Sequence, residues 1–187
     1  MIYLVSGWAF TGTSMMMEAL IAGGMNAAYS EDKDDITNAF YEKRSGVNPK
    51  QSYYELKKAD QQKKGFPADY DGKLIKFLYG GIPKLNAGLA YRAIYMRRPQ
   101  AHVTSDLAGV YGTKGVGNAS RPNWVKKQED AVKWMRDRPS QFLTVDEIWY
   151  ELMRDEPEKV FAKLAADGWP IDPVKAAKIP VREKEPA

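Results

Sequence analysis

Apolar positions along this chain fall into short blocks that switch between two spacings. Ile2 to Ser6 is a continuous β-branched and apolar run ending at Gly7, which predicts a buried strand of a parallel sheet. After a tight turn, Thr13 or Ser14 is placed to cap a helix whose body, Met15 to Ile21, is apolar at helical spacing and stops at Gly23 and Gly24. Asn26 to Tyr29, Lys73 to Leu78, Tyr91 to Met96 and Gln141 to Val145 are further short strand candidates. A helix is predicted after Arg98, with Pro99 in its first turn, running to Val110. Others are predicted over Asn123 to Arg138, Asp146 to Arg154 and Pro157 to Asp167, the last opened by proline and stopped by Gly168.

Strands alternating with helices imply an α/β fold, a doubly wound parallel sheet of about five strands with helices on both faces. One domain is expected over residues 1–187, with an irregular cap at residues 41–72 carrying a helix over Gln51 to Lys64. The acidic cluster Glu31, Asp32, Asp34 and Asp35 is too polar for a core, and the charged, proline-containing tail at residues 178–187 reads as loosely held. In such sheets ligands sit beyond the carboxyl ends of the strands, where the turn from Gly7 to Ser14 would lie.

Composition narrows the classes. The 187 residues are 44% hydrophobic and 28% charged, enough for one core and a solvated surface. No run reaches the roughly 18 to 20 apolar residues of a membrane span, and Met1 leads directly into a strand, so an untargeted cytoplasmic protein is expected, with no membrane partner. Cysteine is absent and His102 is the one histidine, which leaves no thiolate or histidine-rich metal site. The net charge of +4 is diffuse, well short of a nucleic-acid footprint, but compatible with an anionic small ligand.

Gly7, Trp8, Ala9, Phe10, Thr11, Gly12, Thr13 and Ser14 match the phosphate-loop pattern of two glycines five apart, two residues further ending on a hydroxyl. Backbone amides at a helix N-terminus, where the helix dipole concentrates positive charge, form an anion cradle, and the hydroxyls of Thr11, Thr13 and Ser14 could add bonds. Thr13 replaces the lysine that nucleoside triphosphatases use to reach the β- and γ-phosphates, and no aspartate is read at the end of a later strand to hold magnesium. ATP or GTP hydrolysis is thereby disfavoured.

The stretch Ala9 to Ser14, followed by a methionine-rich helix and paired glycines, resembles the loop of the sulfotransferase-like P-loop superfamily, and in particular its short bacterial and viral members. Two further stretches carry the resemblance: Tyr91 to Met96 followed by Arg97, Arg98, Pro99 and Ser105, and the closing strand followed by Asp155, Glu156, Pro157 and Glu158. The resemblance implies a P-loop NTPase-like architecture and a sulfuryl donor, 3′-phosphoadenosine-5′-phosphosulfate, with its 5′-phosphosulfate on residues 7–14. It implies that Arg97 and Ser105 hold the 3′-phosphate, with Arg98 as the alternative one position on. A guanidinium fork suits that role. It also implies a hydroxyl or amine acceptor, a small molecule or a glycan or peptide, and transfer without a metal.

The pattern departs at Phe10, where the family carries a lysine or arginine that steadies the leaving oxygen. Losing such a cation costs on the order of 10² to 10³ in rate, so another basic residue, Lys50 or Lys114, is a candidate replacement. For the general base, Glu55 lies in Asn48 to Glu55, a stretch similar to the family's acceptor-side segment, and His102 is the only imidazole. Trp8 is placed either to stack on a bound ring or to pack against the cap.

Overall fold

The structure, a computed structural model, describes residues 1–30, 54–111 and 124–180. These form an α/β fold around a parallel sheet of four strands, β1 (Ile2–Gly7), β2 (Leu74–Lys76), β3 (Tyr91–Arg97) and β4 (Phe142–Trp149), in the spatial order β2-β1-β3-β4. All neighbouring pairs are parallel, with Leu4 beside Ile75 and Ala93, and Ala93 beside Val145. Asn26 to Tyr29 does not form a fifth strand. Ala27 makes a single bridge to Leu74, with Ala28 N donating to Leu74 O at 2.8 Å.

Alternation along the strands divides the core. Val5, Ile94, Met96 and Ile148 pack with Met16, Met17 and Leu20 of α1 (Thr13–Ala22), and with Phe161 and Leu164 of a later helix, Pro157–Ala166. Ile2, Leu4, Ala93 and Tyr95 point to the opposite face, beneath Val132 and Met135 of Trp124–Arg136. Helices thus cover both faces, as the sheet's run of buried residues requires. Between these elements lie α2 (Lys58–Gln61), α3 (Gln100–Tyr111), α4 (Trp124–Arg136), α5 (Tyr150–Asp155), α6 (Pro157–Ala166) and α7 (Pro173–Ala177). Asp172 caps α7 by accepting from Val174 N and Lys175 N.

Two further segments differ from the sequence expectation. Of the helix expected over Gln51 to Lys64, the described residues form helix only from Lys58 to Gln61, and residues 51–53 lie outside them. Glu55 instead runs extended beside Lys76, its carbonyl accepting from Ser30 N at 3.1 Å, while Lys57 N donates to Ser30 Oγ at 2.9 Å. Those backbone groups are thus satisfied by the neighbouring chain, not by a helix. The last strand continues to Trp149, past the expected end at Val145. Its two carboxylates are tolerated because Asp146 accepts from Trp169 Nε1 at 3.1 Å and Glu147 meets Arg97 and Arg136. No helix among the described residues is long and apolar enough to cross a membrane.

Candidate functional site

β1 and β3 are neighbours, yet their following loops serve different elements, since β2 lies on one side of β1 and β3 on the other. In open parallel sheets such a reversal of strand order is where ligands bind, beyond the carboxyl ends of the two strands. Gly7 closes β1 against the β3 backbone. A Cβ there would lie 2.9 Å from Met96 O and 2.7 Å from Thr11 Oγ1, so only glycine fits. Gly12, at φ 87, turns the chain into α1 and occupies the cap position, where Thr13 or Ser14 was expected; no side chain caps the helix and no acidic residue lies in its first turn. The positive end of α1 therefore lies at the carboxyl end of β1 without a neutralising carboxylate of its own.

The loop side chains divide by role. Trp8 stacks on Tyr79 with ring centroids 4.1 Å apart and meets Trp124 edge-on at 6.0 Å, so it packs on its surroundings. Ala9 is half-buried. Phe10 adopts φ 68, and its ring packs with Val103, Leu107 and Trp124. Thr11 is buried and donates its hydroxyl proton to Trp8 O at 2.7 Å, which holds the turn's shape and removes that donor from any ligand. Thr13 is buried too, its methyl facing Gly7. Ser14 is the loop hydroxyl that gains a charged partner.

That partner is Lys76, at the end of β2, whose Nζ donates to Ser14 Oγ at 3.0 Å and lies 3.2 Å from Glu55 Oε1. Its side chain is 4% exposed. Burial pushes the Lys76 ammonium below its ordinary pKa, and the Glu55 carboxylate opposes that shift. The sequence pattern places Lys76 inside an apolar strand. Its signal was a single lysine inside Leu74, Ile75, Phe77 and Leu78, a charge where a buried strand tolerates one only with a partner. Lys50 and Lys114, the basic residues considered as substitutes for the missing loop cation, lie outside the described residues.

Of the residues expected to hold the second phosphate, Arg97 is committed to Glu147, with Nη2 2.6 Å and Nε 2.8 Å from Oε2. Ser105 is exposed on α3. Arg98 is the arginine that touches the loop: its Nη1 donates to Phe10 O at 3.1 Å and to Asp106 Oδ2 at 2.6 Å. Its guanidinium lies 4.5 Å over the Tyr150 ring, which itself packs on Gly12. Glu55 is brought to the loop through Lys76. His102 is not: its side chain is 54% exposed and Nδ1 lies 2.8 Å from Glu151 Oε1. Among the described residues no group of three His, Asp or Glu side chains is placed to hold a metal ion. No protein-family model matches the chain, and no curated protein matches it.

Proposed function

We propose that the chain is a sulfotransferase-like P-loop protein that binds the 5′-phosphosulfate of 3′-phosphoadenosine-5′-phosphosulfate on the β1–α1 loop and transfers the sulfuryl group to a hydroxyl or amine. One observation carries the reading: a buried ammonium, Lys76, bonded to Ser14 at 3.0 Å beside an uncapped helix N-terminus. The family's loop cation is missing at Phe10, and Lys76 supplies a positive charge to the same loop from the neighbouring strand. A preorganised charge in a desolvated site costs no rearrangement when negative charge develops on the departing group.

In the transfer, the acceptor oxygen or nitrogen forms a bond to sulfur as the bond from sulfur to the donor's bridging oxygen breaks. The acceptor's proton passes to Glu55, and adenosine 3′,5′-bisphosphate leaves with the electron pair. Arg97 and Ser105 take the 3′-phosphate in this reading. Releasing Arg97 from Glu147 does not orphan that carboxylate, because Arg136 Nη2 remains 2.8 Å from Glu147 Oε1.

Thermal stability with adenosine 3′,5′-bisphosphate, and separately with ATP and magnesium, tests the donor. At about 100 times the dissociation constant, the bisphosphate should add roughly 2.7 kcal/mol of stability. ATP with magnesium should add much less, and the reverse ranking ends the proposal in favour of a kinase. Lys76→Met should bind the bisphosphate more weakly and turn over donor about 10² to 10³ more slowly. Full turnover by that variant would remove Lys76 from the mechanism. A second reading, binding without turnover, is favoured by the apolar packing of Phe10 and is distinguished by the absence of bisphosphate release from donor in the parent protein.

A further inference from the structure

Two residues other than glycine carry a left-handed backbone among the described residues, Phe10 at φ 68 and Tyr54 at φ 44. Bulky side chains avoid that region, and such outliers persist only where the surrounding structure holds them. Phe10 belongs to the loop that ends on Ser14, and Tyr54 immediately precedes Glu55, so both adjoin residues that meet at Lys76.

The effect of the turn at Tyr54 is readable in the packing. Side chains alternate between faces along an extended chain, so Tyr54 and Leu56 would share a face and Glu55 would take the other. Instead, Tyr54 belongs with Val5, Met16 and Met17 to the cluster under α1, whereas Leu56 belongs with Ile2, Leu4 and Ile75 to the cluster on the opposite side of the sheet. Lys76 is the register partner of Val5 and reaches Ser14, which places it on the α1 side. Glu55 bridges the Lys76 backbone and lays its carboxylate 3.2 Å from Nζ, on that same side. Residues 54 and 55 thus turn their side chains to one face, and alternation resumes at Leu56. The left-handed residue is the break that allows this.

Both flanks of the turn are anchored. Tyr54 is 9% exposed and meets Tyr29 edge-on, with ring centroids 5.3 Å apart. The Glu55 carbonyl accepts from Ser30 N at 3.1 Å. With the ring held on one side and the backbone on the other, the conformation at Tyr54 decides where the carboxylate points. We propose that Tyr54 is a positioning residue, whose left-handed backbone sets the Glu55 carboxylate against Lys76 and so keeps the loop's cation paired. The placement stands on the packing alone. That the placed carboxylate takes the acceptor's proton rests on the sulfotransferase reading.

The test compares Tyr54→Gly with Tyr54→Ile in the full chain, following the Lys76 side chain through its alkaline titration by NMR, with Lys76→Met to assign its signal. Glycine adopts a left-handed backbone freely but leaves the ring's place empty; isoleucine fills more of the core but, being β-branched, resists that backbone. Packing alone therefore ranks Tyr54→Ile nearer the parent, and the proposal ranks Tyr54→Gly nearer. The Lys76 midpoint should stay close to the parent's in Tyr54→Gly and Tyr54→Phe. It should fall to lower pH in Tyr54→Ile, where the ammonium loses its carboxylate. Donor turnover should follow the same order, with kcat about 10²-fold lower in Tyr54→Ile and KM for the donor unchanged. Should either variant not fold, Tyr54→Asn and Tyr54→Thr repeat the comparison, asparagine tolerating the left-handed region and threonine resisting it. A midpoint unmoved in Tyr54→Ile, or moved as far in Tyr54→Gly, overturns the proposal. If the parent releases no bisphosphate from donor, the sulfotransferase reading falls while the Lys76 titration still decides the placement.

Discussion

Gly12 carries two constraints at once, a left-handed backbone at φ 87 and a Tyr150 ring that would lie 2.4 Å from any Cβ. Gly24 carries only the first, at φ 102 with open space around it. Gly12→Ala should therefore cost roughly 2 to 4 kcal/mol, left-handed strain plus overpacking, and Gly24→Ala about 1 to 2 kcal/mol. Urea midpoints of the two variants decide this, and equal losses would mean that Tyr150 does not seat against the loop. The loop itself was legible because its glycine spacing and closing hydroxyl are local in sequence. Its chemistry was less so. Thr11 was counted as a ligand donor, yet its proton goes to Trp8 O. The capping residue expected at Thr13 or Ser14 is Gly12, which leaves Ser14 to Lys76. Lys76 reaches the loop across 62 residues, a separation that no local pattern encodes.

At the scale of elements, what the pattern fixed well were those with strong periodicity. α4, expected over Asn123 to Arg138, runs from Trp124 to Arg136, and α6 starts on Pro157 as its proline implied. β4 was read short because Asp146 and Glu147 look like a helix start, while their partners Trp169, Arg97 and Arg136 come from three other parts of the chain. Arg97 shows the consequence for the site. It binds β3 to β4 through Glu147, with side chains only 13% and 24% exposed, and it is also the residue assigned to the donor's 3′-phosphate. Arg97→Ala should lower stability by about 1 kcal/mol, a modest loss because Arg136 stays on Glu147. The same variant should lose the stabilisation by adenosine 3′,5′-bisphosphate. If it keeps that response in full, the 3′-phosphate grip moves to Arg98, whose contact with Phe10 O already places it at the loop.

For the molecule as a whole, the sheet order β2-β1-β3-β4 places the β1–α1 loop between strands buried on both faces. A fold of this kind stores polar groups inside, and their protons couple its stability to pH. Burial raises the hydroxyls of Tyr91 and Tyr95 above the usual 10.0 and lowers the Lys76 ammonium below 10.5. The signs differ. Below about pH 10 the unfolded chain holds the Lys76 proton more tightly than the folded one does, so stability rises with pH across that window. Above about pH 10 the unfolded tyrosines ionise while the folded ones do not; their contribution, complete at lower pH, falls by about 1.4 kcal/mol per pH unit for each group. Unfolding temperatures measured from about pH 8 to about pH 11 should pass through a maximum near the tyrosine range. Tyr95→Phe should flatten the alkaline limb by one proton's worth, and Lys76→Met should flatten the rising limb, leaving the alkaline one intact. A parent curve with no rising limb would mean that the folded chain holds the Lys76 proton as tightly as the unfolded one does, so that the charge on Glu55 offsets burial and the loop keeps its cation through the alkaline range.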